Sequence, residues 1–238
     1  MKSSLLSKAG AVLEAVCRSE HPVAIKELTG VLEMPLPTIS RLCADMVEIG
    51  LLEKTDYHHL IPGIALIRFG GRARELSPLI SALKQPLDDY LGVSGLNAAV
   101  FGLDKDSFFT VFHRGGDDRE RDILRYTGAF LVLLVSSGLD GESAAKIIER
   151  KYPDMPVTEK VICDREIHVI SRQKYLTRIA PGRQWMITMP FSYGSLQCAL
   201  SVYGKGRETR SVEAEMFEVS KVLSRIRTRL DRIGKGEN

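Results

Sequence analysis

The chain has 238 residues, of which 44% are apolar and 26% charged, and a formal net charge of +3. Its length suits one large domain or two of ordinary size, and its balance is that of a soluble globular protein rather than a disordered or membrane chain. The small positive charge permits an anionic partner without demanding one.

The N-terminal MKSSLLSKAG lacks the long apolar core and small-residue cleavage site of a signal peptide. The longest apolar run, AFLVLLV at 129–135, is far too short to span a bilayer. Cys17, Cys43, Cys163 and Cys198 are scattered, with no CxxC pair. They point to reduced thiols in a cytoplasm rather than to disulfides or a zinc site.

In chain order, residues 4–18 are predicted as a first helix, because Leu5, Leu6, Ala9, Val12, Leu13 and Val16 recur at steps of three and four. His21-Pro22 ends it, since a residue before proline is pushed out of helical geometry. A second short helix follows in AIKELTGVLE, with Ile25, Leu28 and Leu32 on one face. MPLP makes the turn into a third helix from about Pro37 to Glu48, burying Ile39, Leu42, Cys43 and Met46, with Ile49 as a further candidate at its end. Gly50, which adopts left-handed geometry at little cost, closes it. LLEKTDYHHLIPG then reads as a short hairpin. Three helices and a hairpin within about 60 residues make a winged helix-turn-helix. A fourth helix over about 64–91, weakened at Gly70-Gly71, links this head to the remainder, so the expected domains are 1–70 and 71–238.

Beyond the linker helix, LNAAVFGLD with SFFTVFHRG and WMITMPFSY with LQCALSVYG read as two β-hairpins. A helix is expected around IIERKY, and another closes the chain from about Thr209 to Ile233, with Leu223, Ile226, Leu230 and Ile233 inside. The expected fold class is α+β, with a mostly antiparallel sheet in the second domain. No internal repeat or low-complexity tract interrupts it.

On the third helix, Thr38, Ser40 and Arg41 project near the N-terminal end, away from the buried stripe. That suits a recognition helix, whose first turns enter the major groove. Arg41 has the fork that grips guanine O6 and N7, while hydroxyls serve base edges or phosphates. Lys54, Tyr57, His58 and His59 on the wing are placed to follow the backbone or the adjacent minor groove. Against this stands the head's charge. Residues 1–72 hold eight Lys/Arg and eight Asp/Glu, so no net positive field draws in phosphate. The rival reading is a protein-interaction or dimerisation module whose helix-turn-helix no longer contacts DNA.

The segments SLLSKAGAVLEAV, AIKELTGVLEMPLPTISRL, GLLEK and PGIALIRFG, in this order and spacing, resemble the N-terminal domain of IclR-family bacterial transcription regulators. The points of likeness are a Ser7-Lys8 pair on the leading helix, Met34-Pro35 with Thr38 and Arg41-Leu42, and the run from Gly63 to Gly70 after the wing. CALSVYG is similar, more thinly, to the Ala-Leu-Ser-Val-Ser-Gly of the family's effector domain. The resemblance implies a GAF-like effector domain, a homodimer or dimer of dimers, and a palindromic double-stranded operator read by paired heads. It also implies DNA contacts from Lys8, Lys26, Pro37, Thr38, Ser40, Arg41, Lys54, Tyr57, His58 and His59.

For the second domain it implies a small-molecule effector site at Ser136, Ser137, Gly138, Tyr175, Arg178, Trp185, Ser201 and Tyr203. Several of these depart from the family pattern. Leu134-Val135-Ser136 stands where a histidine opens the segment, Tyr175, Thr177 and Arg178 stand for acids, Trp185 for a cysteine and Tyr203 for a serine. Aromatics fill volume and offer stacking faces, whereas a small carboxylate needs compact donors. Two readings follow. Either a larger or aromatic ligand stacks on Trp185 and Tyr203, steered by Arg178 or Arg183, or these side chains plug a lost pocket.

No metal spacing supports His58-His59, or His113, His168 and Cys163, and no cofactor is expected. The sequence has no GxSxG elbow and no phosphate-binding glycine loop after a strand, so it is not expected to be an enzyme. Cys198, on a predicted strand, is expected to be a small buried hydrophobe.

Overall fold

The computed structural model describes residues 4–19, 21–56, 58–104, 107–115, 123–180, 184–205 and 211–235. The chain divides into two compact units, Met1–Ser77 and Pro78–Asn238.

The first unit holds α1 (Leu5–Arg18), β1 (Val23–Ala24), α2 (Ile25–Leu32), α3 (Leu36–Glu48), β2 (Leu52–Lys54), β3 (His59–Pro62) and α4 (Ile64–Leu76). Its core is Val12 and Val16 of α1, Leu28 of α2, Ile39, Leu42, Cys43 and Met46 of α3, and Leu52 and Leu60 of the wing. The three helices and two-stranded wing appear as the sequence predicts. A third strand, β1, was not expected; it pairs antiparallel with β3 and gives the sheet the order β1-β3-β2. The leading stripe is shorter than its periodicity suggests: Leu5 and Leu6 are 65% and 82% exposed, because the first turn of α1 reaches past the core.

Two glycines lock the wing to α3. Gly50 carries φ +74 just past the helix end. Gly63 donates its N–H to Leu51 O at 2.9 Å, and Ala65 donates to Gly50 O at 3.0 Å. A Cβ at Gly63 would lie 2.2 Å from Gly50 O, so only glycine fits this crossing.

The expected single helix over 64–91 is two. α4 runs through Gly70-Gly71 without a break and ends at Ser77, which has ψ 119 because Pro78 follows. The exposed glycine pair lowers helix propensity by only about 1 kcal/mol per residue and does not stop the helix, whereas the residue before proline is restricted sterically. Ile64, Ile67 and Leu76 of α4 are exposed, and so is Ile49, the candidate for the buried stripe of the third helix, because it caps α3 beyond its last turn.

The second unit holds α5 (Pro78–Ser94), β4 (Asn97–Asp104), β5 (Ser107–Arg114), α6 (Ile123–Ser136), α7 (Gly141–Lys151), α8 (Val157–Gln173), β6 (Leu176–Ala180), β7 (Gln184–Tyr193), β8 (Leu196–Lys205) and α9 (Val212–Gly234). The strands form one antiparallel sheet of order β5-β4-β8-β7-β6. One sheet face carries Ala98, Val100, Trp185, Ile187, Met189, Phe191, Leu200 and Val202 against Leu83 and Leu87 of α5 and Val219, Leu223 and Ile226 of α9. The opposite face carries Ala99, Phe101, Leu176, Met186, Ala199 and Tyr203 against α6, α7 and α8. This helix–sheet–helix sandwich is the α+β domain expected, with both hairpins in place. α6, α8 and the edge strand β6 were not predicted.

Candidate nucleic-acid interface and sheet-face site

α3 is set by its own ends. Pro35 is extended at ψ 138, and its carbonyl accepts from Thr38 N at 3.0 Å and Ile39 N at 3.2 Å. Pro37 falls inside the first turn, where its missing N–H leaves no acceptor unsatisfied. With Ile39, Leu42, Cys43 and Met46 facing the core, Thr38 and Ser40 are left half-buried and Arg41 exposed. Among the described residues Arg41 has no ion-pair or hydrogen-bond partner, so its guanidinium fork is available. Asp45 and Glu48, one and two turns further on, are also exposed.

Lys26 is exposed on α2 and Lys54 on β2, while Lys8 is half-buried on α1. Burial raises the Cys43 thiol pKa on α3, and the Lys54 ammonium opposes that rise. The wing turn is organised by Asp56, a residue the sequence reading passed over. Its carboxylate accepts from His58 N at 2.8 Å, from His59 N at 2.9 Å and from the His59 ring at 2.9 Å. The two backbone and one side-chain hydrogen bonds hold the Asp56 carboxyl at about 2. An Asp two residues before a backbone donor is the signature of an Asx turn, and TDYHH carries it in plain view. His59 therefore braces the turn through Nδ1, His58 stays exposed, and Tyr57 lies outside the described residues.

In the second unit, the expected effector residues are divided between the two faces of the sheet, with Arg178, Ser201 and Tyr203 on one and Tyr175 and Trp185 on the other. Trp185 and Tyr175 pack on the α5–α9 side of the sheet. Tyr203 lies on the opposite face, opposite Met186 in the β7–β8 register. Side chains alternate along a strand, so Trp185 and its neighbour Met186 point apart. Trp185 and Tyr203 thus cannot stack on one ligand, and Met186, which was not singled out, takes the place beside Tyr203. Arg183 lies outside the described residues.

On the α6–α8 face the polar groups bond to one another. Ser201 Oγ and Thr188 Oγ1, both fully buried, are 2.8 Å apart. Tyr203 Oη lies 2.8 Å from His113 Nε2. Arg178 sends Nε and Nη2 to the two oxygens of Glu166 on α8. At the end of α6, Ser137 Oγ donates to Leu133 O at 2.7 Å, and Gly138 turns the chain with φ +88. Ser136 Oγ is buried with no hydrogen-bond partner among the described residues. Glu166, Thr188 and His113 were missed as functional partners because their partners lie on other strands and helices.

Cys43, Cys163 and Cys198 are buried free thiols, and burial pushes Cys198 up to about 12, far from a reactive thiolate. Among the described residues no group of three His, Cys, Asp or Glu side chains could hold a metal ion. No described helix is long and apolar enough to cross a membrane.

A winged helix-turn-helix with an exposed arginine on its third helix, in a chain with a separate sheet domain, is the architecture of DNA-binding transcriptional regulators. Residues 5–56 match the IclR helix-turn-helix domain, so the head belongs to that domain family. Solved structures share the fold along nearly the whole chain. An IclR family transcriptional regulator from Brucella abortus aligns at 13% identity and TM-score 0.65, covering 97% of this chain and 92% of its own. An IclR homolog from Microbacterium hydrocarbonoxydans, solved with 4-hydroxybenzoate, aligns at 18% identity and TM-score 0.60, covering 96% and 99%. A regulator from Alicyclobacillus acidocaldarius aligns at 14% identity and TM-score 0.60, covering all of both chains. No curated relative matches the sequence.

Proposed function

We propose that the chain is a cytoplasmic regulator that binds a palindromic operator as a dimer or dimer of dimers, and that its second domain answers to a small-molecule effector. Residues 1–70 would read DNA, with Thr38, Ser40 and Arg41 at base edges and Lys8, Lys26, Lys54 and His58 on the phosphates. Residues 71–238 would oligomerise and bind the effector. The observation that carries this reading is the exposed Arg41 guanidinium, without a partner among the described residues, on the outer face of α3 within a head matched to the IclR helix-turn-helix domain. Because the head has no excess positive charge over 1–72, two heads acting together supply what one lacks. A ligand that binds one arrangement of the subunits better than another changes operator affinity by shifting the population.

Purified protein is titrated onto the DNA upstream of its own gene and neighbouring genes at two salt concentrations, beside Arg41→Ala. Selective, salt-weakened binding is expected, with the variant folded but weaker by about 1–3 kcal/mol, the range for one bidentate base contact. Asp45 and Glu48, exposed on the same helix, favour a second reading in which the head contacts protein. Equal binding by wild type and Arg41→Ala would bring that reading forward.

A further inference from the structure

Arg178 and Glu166 pair within the second unit, and the role assigned to them rests on the effector-domain reading of that unit. Both side chains are nearly enclosed, at 11% and 12% exposure. The bonds are bidentate: Nε to Oε1 at 2.6 Å and Nη2 to Oε2 at 2.5 Å. This is the fork-to-carboxylate geometry by which arginine recognises organic acids generally.

The surroundings are built around that fork. Arg178 lies on edge strand β6, in register with Met186 and on the same sheet face as Tyr203. α6 approaches the pair at a glycine: a Cβ at Gly128 would sit 3.3 Å from Arg178 Cζ and 2.7 Å from Met186 Cε. Glu166 arrives from α8, and the Cys163 thiol one turn earlier feels both charges. It is raised to about 11 chiefly by burial, with Arg178 pulling it down and Glu166 pushing it up. A buried ion pair is a poor source of stability, because desolvation offsets its attraction, so apolar packing would serve the fold equally well.

We propose that Arg178 forms a carboxylate-binding site which this chain fills from within by Glu166, so that an external carboxylate reaches the fork only by displacing that side chain of α8. Glu166 stands where the acid group of a ligand would stand. Its tether gives it a high effective concentration, so a free acid competes poorly while it is present. Displacement would release α8 from β6, giving an acid ligand a structural consequence.

Acetate is the probe, since it matches the volume and charge lost in Glu166→Ala. Thermal unfolding of the full chain is followed in rising sodium acetate, with ionic strength held constant by sodium chloride. Glu166→Ala should show a saturable rise in Tm, at a half-effect concentration at least tenfold below that of wild type. Glu166→Gln, which keeps the volume but not the charge, should also respond below wild type, and it decides the question if the alanine variant does not fold. Adding Arg178→Met to either variant should abolish the response. Equal acetate responses in wild type and the Glu166 variants would overturn the proposal, as would a response that survives Arg178→Met. No DNA enters this measurement, so its failure is separate from a failure of operator binding.

Discussion

At the residue scale, the wing turn hangs on one carboxylate. Asp56 is held at about 2 by backbone hydrogen bonds from His58 and His59 and by the His59 ring. Its folded pKa lies below the ordinary value near 3.9, so the hydrogen bonds are at full strength above that value and are lost as pH falls through about 2. The His58 and His59 amide resonances should therefore titrate with a midpoint about 2, and a midpoint near 4 would show the turn open in solution. In the second unit, Thr188 and Ser201 satisfy each other in full burial. Thr188→Val alone should cost about 1–3 kcal/mol by orphaning the Ser201 hydroxyl. Adding Ser201→Ala should recover part of that loss, and a chemical-denaturation double-mutant cycle checks the coupling. Trp185, in the α5–α9 core, should behave as packing: Trp185→Ala is expected to cost about 3–5 kcal/mol.

At the element scale, legibility followed pattern strength. α1, α2, α3 and α9 each show one apolar face, and their existence and type could be read directly. α8 could not. Its apolar residues lie all round, with Cys163, Ile167 and Ile170 buried but Val157, Val161 and Val169 exposed, so no single stripe announces a helix. The run in α6 is apolar on every side because helices and sheet enclose it, and such a run has no period to read. β6 is five residues on a sheet edge, too short to signal by alternation. In α9, Leu223 points into the core while Phe217 is 61% exposed. Leu223→Ala should cost about 2–5 kcal/mol and Phe217→Ala no more than about 0.5 kcal/mol, read from thermal or urea unfolding.

At the scale of the molecule, a charge-neutral head needs company to hold DNA. If two heads engage one operator, log affinity should fall with log salt about twice as steeply for the full chain as for a fragment spanning 1–77, since the slope counts phosphates neutralised. Equal slopes in filter-binding or anisotropy titrations would mean that single heads bind. Chain order and local chemistry determined the winged head, its outward Thr38, Ser40 and Arg41, and the α+β class of the remainder. These follow from periodicity, proline and glycine placement, which act over a few residues. Only the tertiary structure decided that Trp185 and Tyr203 lie on opposite faces of the sheet, and that Arg178 meets Glu166. One step along a strand reverses a side chain, and an ion pair between a helix and a strand depends on how the two pack, which no local spacing records.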